Sequence, residues 1–157
     1  MPSSPYLETT IVSYLAAFPS RDLIVAAHQE ITHRWWRDRR HDFDLFISEL
    51  VAREVAAGDS DAASRRLGIL EGIPSLDLSE PARQLARRLV ETRAVAPRAR
   101  ADALHIAVAA VNGIDYLMTW NCTHIANAEM RSHIMRTCHL LGYVAPILCT
   151  PEELLGD

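Results

Sequence analysis

A chain of 157 residues with 49% apolar and 23% charged residues has the make-up of a globular protein and is long enough to bury a real core. Its net charge of -4 argues against an extended, non-specific nucleic-acid surface, which is ordinarily basic. No apolar run reaches the roughly 20 residues of a membrane-spanning helix. The first five residues lack the basic and apolar regions of a signal peptide.

The three cysteines, Cys122, Cys138 and Cys149, contain no CxxC pair. They suit a reducing compartment better than a disulfide framework, so a cytoplasmic protein is expected. Every basic residue is arginine, which fits codon bias as well as a need for phosphate-binding forks.

Tyr6 and Leu7 predict a short first strand ending near Glu8, and Ile11, Val12, Tyr14 and Leu15 a helical turn closed before Pro19. Leu23, Ile24, Ala27, Ile31 and Trp35 recur at helical steps and predict a helix over 21–40. Its last turns, with Trp35, Trp36 and several arginines, read either as a dipole-complementing helix end or as an RNA or partner surface. A second strand is expected over 42–48, with Ser48 capping the next helix and Gly58 stopping it. Asp59 opens another helix. Residues 73–78 predict an edge strand because Pro74 cannot donate to a ladder. Ser79-Glu80-Pro81 starts a helix running to about residue 93.

Residues 101–121 then read as a buried helix, a stop at Gly113 and a buried strand, with Asp102 and Asn121 at the two polar tips. A helix over 128–141, a strand over 147–149 and a terminal helix over 150–155 complete the pattern. Short apolar strands alternating with helices imply one domain, 1–157, built on a parallel sheet covered on both faces. Ligands of such sheets bind beyond the carboxyl ends of the strands.

That rule collects Glu8, Glu54, Asp102 and Asn121. Three carboxylates at one place repel one another unless a cation joins them. Oxygen-only ligands suit Mg²⁺ or Mn²⁺, and such an ion suits phosphodiester hydrolysis. Glu8, Glu54 and Asp102 are therefore the expected metal ligands, with Thr9 and Thr119 as hydrogen-bonding support. His105, Arg98 and Arg100 are the expected phosphate contacts. Each residue also has a plainer reading: a helix-start acid, a solvated helix residue, a turn asparagine or a core histidine. Cys122, His124, His133, Cys138 and His139 do not have the spacing of a structural zinc site.

Four segments carry a resemblance. Tyr6-Leu7-Glu8-Thr9-Thr10-Ile11, Ile47-Ser48-Glu49-Leu50-Val51-Ala52-Arg53-Glu54, Asp102-Ala103-Leu104-His105-Ile106-Ala107 and Leu117-Met118-Thr119-Trp120-Asn121 resemble the ordered motifs of PIN-domain proteins, whose bacterial members of this size include VapC-type toxins. The resemblance implies a three-layer α/β/α sandwich around a mainly parallel sheet of roughly four to five strands. It also implies a Mg²⁺- or Mn²⁺-dependent ribonuclease, usually a homodimer, held by an antitoxin partner. Two positions depart from the family pattern: Glu8 stands where aspartate is usual, and neutral Asn121 where an acid is usual. These departures predict weaker metal binding, one metal rather than two, and reduced activity, with a non-catalytic RNA- or protein-binding module as the alternative.

Overall fold

The computed structural model describes residues 2–157. Its elements follow in the order β1 (Pro5–Leu7), α1 (Thr9–Ala16), α2 (Leu23–Asp38), β2 (Ile47–Ser48), α3 (Glu49–Val55), α4 (Ser60–Ile69), β3 (Ser75–Leu76), α5 (Glu80–Glu91), α6 (Arg100–Val111), β4 (Tyr116–Met118), α7 (Ala128–Leu140) and β5 (Ile147–Cys149). Single 3₁₀ turns stand at Arg40–Asp42, Pro97–Ala99 and Pro151–Leu154.

Strands β1, β4 and β5 form a parallel ladder in the order β1-β4-β5, and β2 pairs with β3, also parallel. A parallel bridge between Tyr6 and Phe46 joins the two ladders, with Leu7 N donating to Phe46 O at 2.9 Å and Phe46 N to Pro5 O at 3.0 Å. Across that bridge the strands run β3-β2-β1-β4-β5. All of them point the same way, so their carboxyl ends share one edge of the sheet.

Two helix groups cover the sheet. Helix α1 packs against α2, α3 and α4, while α5 packs against α6 and α7. Helix α5 shows why its sequence folds this way: Ser79 accepts from Ala82 N, Pro81 sits in the first turn, and Ala82, Leu85, Ala86 and Leu89 form one buried stripe. Helix α6 is apolar nearly all round and is correspondingly enclosed, with Ala103 and every residue of 105–110 buried. Gly113, at φ 68°, takes the left-handed conformation that lets the chain leave α6 and enter β4.

The strands are shorter than the sequence pattern predicts. The expected strand over 42–48 is reduced to Ile47–Ser48, because Arg40–Asp42 coils into a 3₁₀ turn. The expected strand over 73–78 keeps only Ser75–Leu76. Trp35 and Trp36 also part company. Trp35 is fully buried and stacks on Phe43 at 5.7 Å, so it belongs to the core rather than to a two-tryptophan surface. Only Trp36 remains partly open, with the Arg40 guanidinium 4.4 Å from its ring centroid. Among the described residues, no helix is long and apolar enough to cross a membrane.

Candidate active site

Glu8 follows β1 immediately and caps α1, so its backbone is extended and its carboxylate turns back toward the helix start. Its Oε1 accepts from Thr10 N (3.2 Å), Thr10 Oγ1 (2.5 Å) and Thr119 Oγ1 (2.6 Å). Thr119 lies just past β4, so this clasp ties the ends of the two adjacent strands together. The clasp extends through the backbone: Trp120 N donates to Thr10 Oγ1 and Asn121 N to Thr119 Oγ1, both at 2.9 Å. Glu8 is 4% exposed.

Glu54 projects from α3 and is half-buried. Its Oε1 accepts from Thr9 Oγ1 at 2.5 Å and lies 2.7 Å from His105 Nε2. The other ring nitrogen, Nδ1, is 2.6 Å from the Tyr6 hydroxyl, which is in turn 2.7 Å from Ser48 Oγ. Burial alone would raise the Glu54 pKa, but the hydrogen bonds from His105 and Thr9 outweigh it and hold the carboxyl below its usual range. Burial drives the Tyr6 phenol far above its usual range, so it keeps its hydrogen.

Asp102 lies in the first turn of α6, one turn before His105. Burial pushes its carboxyl up. Neighbouring His105 and His124 and the Asn121 amide offset only part of that rise, and the Glu54 charge adds to it. Asn121 also has a local task, because its Oδ1 accepts from His124 N at 3.0 Å and stabilises the turn that follows β4.

These residues trace a ring. Hydrogen bonds join Glu8 to Thr119, Thr119 to the Asn121 backbone, Thr9 to Glu54 and Glu54 to His105, and Thr9 is bonded in the chain to Glu8. Asp102, one turn before His105 on α6, is coupled electrostatically to His105 and Glu54. Glu8, Glu54 and Asn121 stand at the carboxyl edge of the sheet, with Asp102 in the first turn of α6. Thr9 and Thr119 support the acids as expected. His105 departs from its expected role: it is 1% exposed with both ring nitrogens engaged, so it supports Glu54 and does not meet a phosphate. Arg98 and Arg100 are exposed and stand in no ion pair among the described residues. A cavity of about 700 Å³ lies elsewhere, near Trp36, Phe43, Phe46 and Pro74 at the amino ends of β2 and β3.

The donor chemistry suits a hard divalent cation. Every hydrogen bond to Glu8 and Glu54 goes to Oε1, which leaves both Oε2 atoms unengaged among the described residues, and the Asp102 anion is poorly compensated. The spacing does not make a ready cage. Among the described residues, no group of three or more His, Cys, Asp or Glu side chains could hold a metal ion as it stands. The expected joint ligand set of Glu8, Glu54 and Asp102 is therefore not assembled, because the threonine clasp draws Glu8 aside and His105 draws Glu54. What remains suits a cation that keeps several waters and takes one or two carboxylates, the usual habit of Mg²⁺.

Sequence reasoning passed over Tyr6, Thr10 and the link between Ser48 and Tyr6. A tyrosine inside a fully buried three-residue strand needs a partner for its hydroxyl, and that was the available signal.

No family model matches the chain. No curated protein matches it either. A solved structure does: that of VapBC2 from Rickettsia felis bound to a DNA fragment from their promoter. The match covers 94% of this chain and 98% of that one, with a TM-score of 0.59 and 16% sequence identity. The fold is PIN-like. At that identity the likeness is one of fold. It agrees with the α/β architecture and the parallel sheet.

Proposed function

We propose that this chain is a metal-dependent endoribonuclease that hydrolyses RNA phosphodiesters and acts as the toxin of a type II toxin–antitoxin pair. One observation carries the reading. Glu8 and Glu54, from separate segments, are each held through Oε1 at the carboxyl edge of a parallel sheet with Oε2 unengaged among the described residues, and Asp102 feels the charge of Glu54.

Asp102 would hold Mg²⁺ or Mn²⁺, and the free Oε2 atoms of Glu8 and Glu54 would hold it directly or through its waters. When bound, the ion would supply charge neutralisation at the scissile phosphate and a more acidic water. The remaining work falls to the chain's own residues. Glu54, fixed by His105 and Thr9, orients the attacking water. Arg98 and Arg100 hold flanking phosphates as free guanidinium forks. Asn121 keeps Asp102 in place. The VapBC2 likeness supports an antitoxin as partner. The same reading makes the protein cytoplasmic and homodimeric.

A second reading is favoured by the absent cage: a PIN-like module that binds RNA or protein at this edge with little or no catalysis. One experiment separates the two. Purified protein is incubated with RNA in Mg²⁺ or Mn²⁺ alongside Asp102→Asn. The nuclease reading expects cleavage that falls at least about 100-fold in the variant. Equal cleavage by both proteins removes Asp102 from the mechanism. RNA binding without cleavage by the wild type selects the module.

A further inference from the structure

The chain from Ser48 to Glu54 is more than a set of satisfied polar groups. Ser48 is fully buried and caps α3, accepting from Leu50 N (3.2 Å) and Val51 N (3.4 Å). A hydroxyl has two acceptor sites and one hydrogen. With both acceptor sites facing α3, its hydrogen is left for the Tyr6 oxygen at 2.7 Å. Tyr6 then directs its own hydrogen to His105 Nδ1 at 2.6 Å. Nδ1 accepts, so the neutral ring carries its hydrogen on Nε2 and donates it to Glu54 Oε1 at 2.7 Å. The opposite direction fails on counting. Ser48 would face three donors with two acceptor sites, and its own hydrogen would have no partner.

We propose that Ser48, Tyr6 and His105 form a one-way hydrogen-bond relay that fixes His105 as its Nε2–H tautomer and so positions the Glu54 carboxylate through Oε1, with Oε2 left unengaged among the described residues. The relay starts and ends on α3, passing through β1 and α6 between. A helix cap thus sets the orientation of an acid six residues further along the same helix. Tyr6 and His105 are positioning residues. Neither meets substrate, because both are enclosed. The inference rests on the nuclease reading only for the use made of Glu54.

The test is long-range ¹H–¹⁵N NMR of the imidazole nitrogens in the full chain, with His105 assigned by comparison with His105→Gln. The wild type is expected to show a single Nε2–H tautomer. Tyr6→Phe, which removes one oxygen and leaves a well-packed ring, is expected to give a mixed tautomer and to move the Glu54 carboxyl ¹³C signal. His105→Gln, which can still donate an N–H to Glu54, is expected to keep that signal nearer the wild-type position than His105→Ala does. In the RNA-cleavage assay, Tyr6→Phe is expected to lower kcat about tenfold with KM unchanged.

An Nδ1–H tautomer in the wild type overturns the relay. So does a Tyr6→Phe protein whose His105 and Glu54 signals stay at their wild-type positions. A wild type that cleaves no RNA overturns the nuclease reading alone, and the NMR outcome still decides the relay.

Discussion

Glu8 and Glu54 are the same amino acid at the same edge of the sheet, held in opposite ways. Glu8 is enclosed, and its donors are two threonine hydroxyls and a backbone N–H. The clasp joins the ends of β1 and β4 through Oε1. Glu54 keeps a side chain 33% open to solvent and is held by a histidine ring and a threonine hydroxyl. The comparison teaches that the donors of a carboxylate decide whether its held oxygen fastens strand ends together or fixes the orientation of the acid itself.

The largest expected effect tests the fastener. Glu8→Ala strips the acceptor from buried Thr119 and half-buried Thr10, and leaving such donors unpaired costs about 1–3 kcal/mol. Urea unfolding should show that loss. A change under about 0.5 kcal/mol would mean that water or rearranged hydroxyls replace the carboxylate with ease.

A smaller effect of opposite sign is expected at Asp102. Its anion is disfavoured by burial and only partly compensated. Asp102→Asn should therefore raise the stability of the metal-free protein slightly, an effect damped because water screens a half-open group, while abolishing cleavage, the pattern of a residue kept for activity. Destabilisation in the same urea experiment would place Asp102 with Glu8 as a fastener.

The smallest effect is a pH dependence at Glu54, muted because water screens a half-open group. Its folded pKa lies below the unfolded one. The carboxylate therefore adds stability above the unfolded value, about pH 4.3, and loses it as pH falls through the lower folded value. Asp102, with its pKa raised, works the other way: its contribution is present at low pH and fades as pH rises. Subtracting the acid-unfolding curve of Glu54→Gln from that of the wild type should isolate the first limb. A flat difference below pH 5 would show that the His105 contact carries no charge preference.

Much of this site was legible in the sequence because strand ends are local signals. The apolar run ending at Glu8, the cap at Ser48 and the polar tips Asp102 and Asn121 each mark where a strand or helix starts or stops. In a parallel sheet those marks fall on one edge. The lengths of β2 and β3 were less legible, because alternation and apolar runs do not distinguish a paired strand from an extended loop beside one.

By itself, then, the sequence determined the alternation of elements, the parallel sheet and the list of residues able to meet at its edge. The tertiary structure alone decided who holds whom. Thr119 reaches Glu8 across 111 positions, and His105 reaches Glu54 across 51. No local pattern encodes contacts of that range, since they depend on how strands and helices pack. The same holds for Trp35 and Trp36. Adjacent residues on a helix point about 100° apart, and only the packed neighbours settle which ring enters the core.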